Sequence, residues 1–283
     1  MPYEFYDTIG PADAEQAVSV AKLNKDLREA AETMTDKQAR FLVDAYYAAQ
    51  KERTAQGRRV GAMQEEPHGV LEWLGDQQLV LEKQVLAALG RYTKRHKMGS
   101  WMREIHGIGP VISAGFLAHI DIHKAPTVGH IWRFAGLDPT LKWEKGEKRP
   151  YNAGLKQICY HAGESFKRFS ASDKCYYGKL YRQRKAYEVD RNESGGNADT
   201  AAETLRSRKI GDAATRTVYE SGKLPAGRLD LRSTRWAVKQ MLADMHGEWY
   251  RRELGREPPK PYPIAILHHA HLREAPQKEP VSK

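Results

Sequence analysis

With 40% hydrophobic and 29% charged side chains, the 283-residue chain can bury a core, yet no stretch approaches the ~20 consecutive apolar residues of a membrane span. The first thirty residues also lack the basic start and apolar run of a secretory signal, so no membrane partner and a cytoplasmic location are expected. Forty-six Lys plus Arg against 36 Asp plus Glu leave +10, with a pI of 9.4 that passes the mark for a basic nucleic-acid-binding domain.

Helical spacing dominates and strict alternation is missing, so a mostly α fold is expected. Residues 1–69 read as an N-terminal helical segment. Its first helix runs from Asp13 to Met34, and residues 1–34 carry a local net charge of −4. A second helix starts at Thr35, where Thr35-Asp36-Lys37-Gln38 has the form of a capping box. Phe41, Leu42, Ala45 and Tyr46 are its expected inner face, and Gln56-Gly57-Arg58-Arg59 weakens its end.

Residues 70–98 read as one long helix. Leu71, Leu74, Gln78, Leu81, Val85, Ala88 and Tyr92 follow three-then-four spacing, the seam of a short coiled coil, with Gln78 as a polar selector of register or partner. The expectation is a homo-oligomer through 70–98; the competing reading is a core helix of the monomer.

From residue 99 to 193 the chain reads as a helix-hairpin-helix element followed by a basic helical region. Glycines in Ile105-His106-Gly107-Ile108-Gly109-Pro110 permit conformations closed to other residues, and Pro110 suits the first turn of the next helix, whose free N–H groups favour an anion. Between Lys142 and Arg191 stand 13 Lys or Arg against 6 acids, interleaved with nine aromatics. Such a segment neutralises phosphates and stacks bases, or else is a solvated surface with half-buried tyrosines. Ser194-Gly195-Gly196-Asn197-Ala198-Asp199 opens an expected flexible connector over 194–226. A C-terminal helix over 227–255, centred on Leu231–Leu254, and a Pro/His-rich tail over 256–283 complete the chain.

The cysteines, Cys159 and Cys175, are too few for a disulfide framework and are expected as reduced structural thiols. His119, His123 and His130, with His268, His269 and His271 in the tail, do not form a recognised ligand motif, so neither a metal nor a cofactor is expected. A nuclease reading rests on Glu104, Asp121, Asp138, Glu144 and Glu164, whose convergence the sequence does not reveal.

Several motifs together resemble the C-terminal domain of the insertion-sequence one-ten/one-sixteen group of transposases, the bridge-RNA serine recombinases. They are Gly107-Ile108-Gly109-Pro110, then Ala114 and Leu117-Ala118-His119-Ile120, then Phe134-Ala135-Gly136-Leu137-Asp138-Pro139 and Asn152-Ala153-Gly154-Leu155-Lys156. Arg235-Trp236-Ala237-Val238-Lys239 is similar to the family's closing helix, and the likeness spans roughly residues 70 to 254. Tyr151 stands where the family usually has a glycine.

The resemblance implies a nucleic-acid-handling scaffold from a mobile element or phage-like system. It also exposes two departures. Residues 1–69 are too short for the family's RuvC-like nuclease domain, and Thr140-Leu141-Lys142-Trp143-Glu144-Lys145-Gly146 holds no serine where the nucleophile is expected. Thr140 is the sole hydroxyl there, with no evident activating base. No catalytic residue is therefore assigned, and the chain is expected to be inactive alone or to work beside a separate catalytic subunit.

The expected function is binding to nucleic acid through its phosphate backbone, with DNA as the first partner and RNA as the alternative; the rival is a metal-dependent nuclease or an active recombinase subunit. The expected contacts are Gly107, Ile108 and Gly109 from the hairpin, with Lys142, Trp143, Lys145, Lys148, Arg149, Lys156, Lys167 and Arg168 from the basic region.

Overall fold

Residues 25–63, 69–144 and 146–259 are described in a computed structural model. These described residues form eleven α-helices and two short 3-10 turns, with no strand. They divide into two compact units: Met1–Ser100 with Gly109–His119, and Trp101–Ile108 with Ile120–Lys283. Of the first expected helix, residues 13–24 lie outside the described part. The remainder is α1 (Lys25–Ala30) and a 3-10 turn at Ala31–Thr33.

In the first unit, α2 (Asp36–Ala62) begins at the anticipated cap. The Thr35 hydroxyl accepts from Gln38 N, and the Gln38 side chain accepts from Thr35 N, so two otherwise unpaired N–H groups are satisfied at once. The helix continues through Gly57 to Ala62. Its buried line is Ala39 and Val43, whereas Phe41 is 72% exposed. The expected face was therefore turned: small side chains lie against α3 (Gly69–Arg95) and α5 (Pro110–His119), where axes must approach closely.

Along α3 the expected seam is inside only at its C-terminal end. Ala88 and Tyr92 are buried, but Leu74 and Leu81 are 39% and 52% exposed. The inward line instead passes through Glu82, Leu89 and Thr93. A charged residue holds that place because Arg53 Nε and Nη2 donate to the two Glu82 carboxylate oxygens at 2.6 and 3.1 Å. Among the described residues the buried Gln78 amide oxygen has no hydrogen-bond partner. Helix α5 is apolar all round, with Val111, Ala114, Phe116, Leu117 and Ala118 buried, and forms the centre of this unit with α2 and α3.

In the second unit, α11 (Ala226–Leu254) packs on α6 (Val128–Phe134), α7 (Ala153–Arg168) and α8 (Tyr176–Glu193). At the crossing of α7 and α11, Gly163 presents no side chain, because a Cβ there would stand 2.3 Å from Thr234 Cγ2. Asp230 on α11 accepts from Lys167 at 2.6 Å, Lys185 at 2.8 Å and Tyr181 at 2.5 Å, tying the three helices together.

The stretch expected as a flexible connector, 194–226, instead contains α9 (Ala198–Ser207) and α10 (Ala213–Glu220). Ala201, Tyr219, Leu224 and Leu229 form a small core of their own. Buried Asn192 closes this subdomain: its side-chain oxygen accepts from Leu224 N at 2.8 Å and from Asn197 Nδ2 at 3.0 Å. The glycines supply the turn out of α8, and the polar residues that look like linker are helix surface. Residues 260–283 of the tail lie outside the described part. Among the described residues no helix is long and apolar enough to cross a membrane.

Candidate nucleic-acid interface

The two glycines of the 105–110 turn have separate roles. Gly107 has φ +97°, and a Cβ on it would meet Ser165 Oγ at 3.1 Å; the Ser165 hydroxyl donates to Gly107 O at 2.6 Å. Gly107 is thus held against α7. Ile108 is buried, and its N–H donates to Ile105 O at 2.9 Å, which leaves that amide committed inside the turn. Gly109 is exposed with open space at its Cα, and Pro110 opens α5 as expected. The chain passes between the two units within α4 (Gly99–Glu104), again between Ile108 and Gly109, and again between His119 and Ile120.

Three of the motifs behind the family resemblance, at 134–139, 152–156 and 235–239, meet within the second unit. Asn152 caps α7, accepting from Leu155 N at 2.8 Å, while its own N–H donates to Phe134 O at 2.8 Å. The Tyr151 ring lies over Gly136, whose φ is +64° and whose Cβ would stand 2.8 Å from the ring. A glycine at position 136 is required twice, by conformation and by the ring above it. Leu137 and Lys156 both line a cleft completed by Cys159, Tyr160, Leu231, Thr234, Arg235 and Val238.

The expected basic contacts divide into three groups. Lys142, Lys148 and Arg149 are exposed on the irregular segment before α7, where the Trp143 indole donates to Glu147 O at 2.8 Å and Arg149 stands 5.6 Å over the Trp143 ring. Lys145 lies outside the described residues. Lys156 is exposed, 4.2 Å over the Tyr151 ring. Lys167 is engaged by Asp230, and Arg168 is exposed at the end of α7.

Four bases missed by the sequence reading share one face of α11: Arg228, Arg232, Arg235 and Lys239, spaced by four, three and four residues. Arg228 donates to Thr204 Oγ1 and Tyr219 OH at 3.1 Å each, and Arg232 reaches Glu188 at 3.5 Å. Arg235 is exposed and Lys239 sits 4.2 Å over the Trp132 ring. Neither has an acidic partner within ion-pair distance among the described residues. Partial desolvation lowers both pKa values; Arg228 and Arg232 add to this at Arg235, whereas Asp138 opposes it at Lys239. The pattern Arg-x-x-x-Arg-x-x-Arg-x-x-x-Lys was the available sequence signal.

Thr140 donates both its N–H and its hydroxyl to Asp138 Oδ1, at 2.9 and 2.7 Å. Those bonds hold the Asp138 carboxyl below its ordinary pKa, making it a poor base for activating the hydroxyl. His119 Nδ1 lies 2.8 Å from Gly115 O and His130 Nδ1 lies 2.9 Å from the Thr127 hydroxyl. Among the described residues no three His, Cys, Asp or Glu side chains gather as a metal set, which includes the five acids of the nuclease reading. His268, His269 and His271 lie outside those residues. Both cysteines are free and buried, and burial pushes their thiol pKa values up. Comparison of the chain with protein families, curated proteins and solved structures finds no match.

Proposed function

We propose that this chain binds nucleic acid through the phosphate backbone, DNA in the first place, as a non-catalytic relative of a transposase C-terminal domain from a mobile element or phage-like system. The observation that carries the reading is the group of uncompensated cations on the second unit. Lys156, Arg235 and Lys239 face no carboxylate at ion-pair distance among the described residues, and aromatic rings lie under two of them. Lys142, Lys148 and Arg149 extend the positive surface around Trp143. Bases of this kind release counterions from phosphates and carry no sequence information.

The hairpin contributes, in this reading, through Gly109 and the start of α5. Strand cleavage belongs to a separate catalytic subunit, in keeping with a weakly basic Asp138 beside Thr140. Self-association through α3 is part of the proposal, supported by Val70, Trp73 and Leu81 at 60%, 54% and 52% exposure along one side of that helix.

The test is the affinity of the purified chain for duplex DNA across a salt series. Log affinity should fall linearly with log salt, with little dependence on sequence and no covalent protein–DNA species on denaturing gels in magnesium. A flat salt response would overturn the electrostatic reading, and one strongly preferred sequence would overturn the backbone-only mode.

A further inference from the structure

We propose that the cleft between α7 and α11 is a subsite for one unpaired nucleotide, with its phosphate on Lys156 and Arg235 and its base against Leu137, Tyr160 and Leu231. This rests on the nucleic-acid reading and names the strand state that the surface prefers. The cleft lies wholly within the second unit.

Its chemistry has two halves. The floor is apolar, from Leu137, Cys159 and Val238, and two large apolar side chains remain open at the rim: Tyr160 is 54% exposed and Leu231 is 44% exposed. The same rim carries Lys156 and Arg235, both exposed, with no acidic partner at ion-pair distance among the described residues. A purely apolar occupant would leave these cations unused, and inorganic phosphate alone would leave the apolar walls wet. A nucleotide offers both a flat ring and an anion. In a continuous duplex the base faces are stacked on their neighbours, so the ring half of the cleft requires a base freed from the stack. The repulsion of Arg235 by Arg228 and Arg232 further favours an arriving anion.

The experiment measures binding of the full chain, by fluorescence anisotropy, to three probes of equal phosphate number: blunt duplex DNA, the same duplex with one unpaired thymine, and single-stranded oligothymidine. The bulged and single-stranded probes should bind roughly tenfold tighter than the blunt duplex, the range expected for one base stacked on a side chain. Tyr160→Ala and Leu231→Ala should each shrink that preference without changing the salt slope, since neither alters charge. Lys156→Ala and Arg235→Ala should weaken all three probes and reduce the slope by about one unit each. Circular dichroism and thermal melting establish that each variant is folded; the exposure of Tyr160 and Leu231 makes both substitutions mild.

Equal binding of all three probes, or a preference that survives in folded Tyr160→Ala and Leu231→Ala, overturns the subsite while leaving general phosphate binding intact. Failure of the parent chain to bind any probe overturns the nucleic-acid reading itself, and with it the subsite.

Discussion

Replacing Gly163 by alanine should loosen the crossing of α7 and α11, on which the relative position of Lys156 and Arg235 depends. The added Cβ would fall 2.3 Å from Thr234 Cγ2 and 3.2 Å from Val238 Cγ2. Both targets are β-branched and stiff, and Thr234 is 5% exposed. Thr234 can withdraw its methyl only by rotating, and its hydroxyl then gives up the 2.9 Å bond to Asp230 O. Forcing a methyl into such a contact costs about 1–3 kcal/mol, while alanine returns up to ~1 kcal/mol of helix propensity. The net expectation is a loss of about 1–2 kcal/mol, or roughly 3–6 °C in melting temperature for a unit of this size. Urea unfolding of the parent, Gly163→Ala, Thr234→Ser and the double variant forms the assay. Removing the Thr234 methyl should recover most of the loss, giving a coupling of about 1 kcal/mol. A Gly163→Ala variant as stable as its parent, or a cycle without coupling, would refute the argument from close approach.

Asp230 supplies a pH-dependent expectation. Burial works against its ionisation, but bonds from Lys167, Lys185 and Tyr181 outweigh it and hold the carboxyl far below the usual range. Its contribution is therefore present above the ordinary aspartate value near 3.9 and fades as the pH falls below about 4 toward the depressed folded value. Asp230→Asn should cost about 2 kcal/mol at neutral pH and make the acid limb of the stability profile shallower; an unchanged acid limb would remove Asp230 as its source. In the first unit, Arg53→Met leaves the Glu82 carboxylate, 5% exposed, without its partner and should cost about 3 kcal/mol, whereas Arg53→Met with Glu82→Leu should recover much of it. Chemical denaturation compares the two, and equal losses would show that the pair matters for packing alone.

The local rules of helix starts were legible in the chain. The Thr35 box and Pro110 opening α5 stand where expected, and the C-terminal helix was expected over 227–255 and found over Ala226–Leu254. Facing was less legible, because it is decided by partners distant in sequence. Phe41 looks like a core residue until Ala39 and Val43 meet the neighbouring helices, and Glu82 looks like surface until Arg53 reaches it. The 194–226 stretch differs for a related reason: its polar composition hides three apolar side chains, Ala201, Tyr219 and Leu224, that pack with Leu229 of α11, while Asn192 holds Leu224 N. At the candidate interface, Lys156 and Lys167 were expected in the same role, but Lys167 is engaged by Asp230, 63 residues away in sequence and 2.6 Å away in space, a pairing that no local pattern reveals. The cations on α11 are sparser than those of the basic segment before it, yet their spacing of four, three and four marks one helical face.

The chain's passage between the two units has a consequence for synthesis. Unit one is not complete until residue 119, since α5 is its central helix, yet Trp101–Ile108 already belong to unit two. During elongation, those eight residues, including the apolar Trp101 and Met102 that end up buried, precede almost all of the segments they are destined to join. At ordinary rates of translation, the remainder arrives over roughly ten to thirty seconds. For that interval a nascent chain carries a finished first unit interrupted by a short sticky stretch without its destination. Expression by halves meets the same obstacle from the other direction: a cut at residue 100 deprives the first piece of its centre, and a start at residue 120 deprives the second of the Gly107 carbonyl that Ser165 holds.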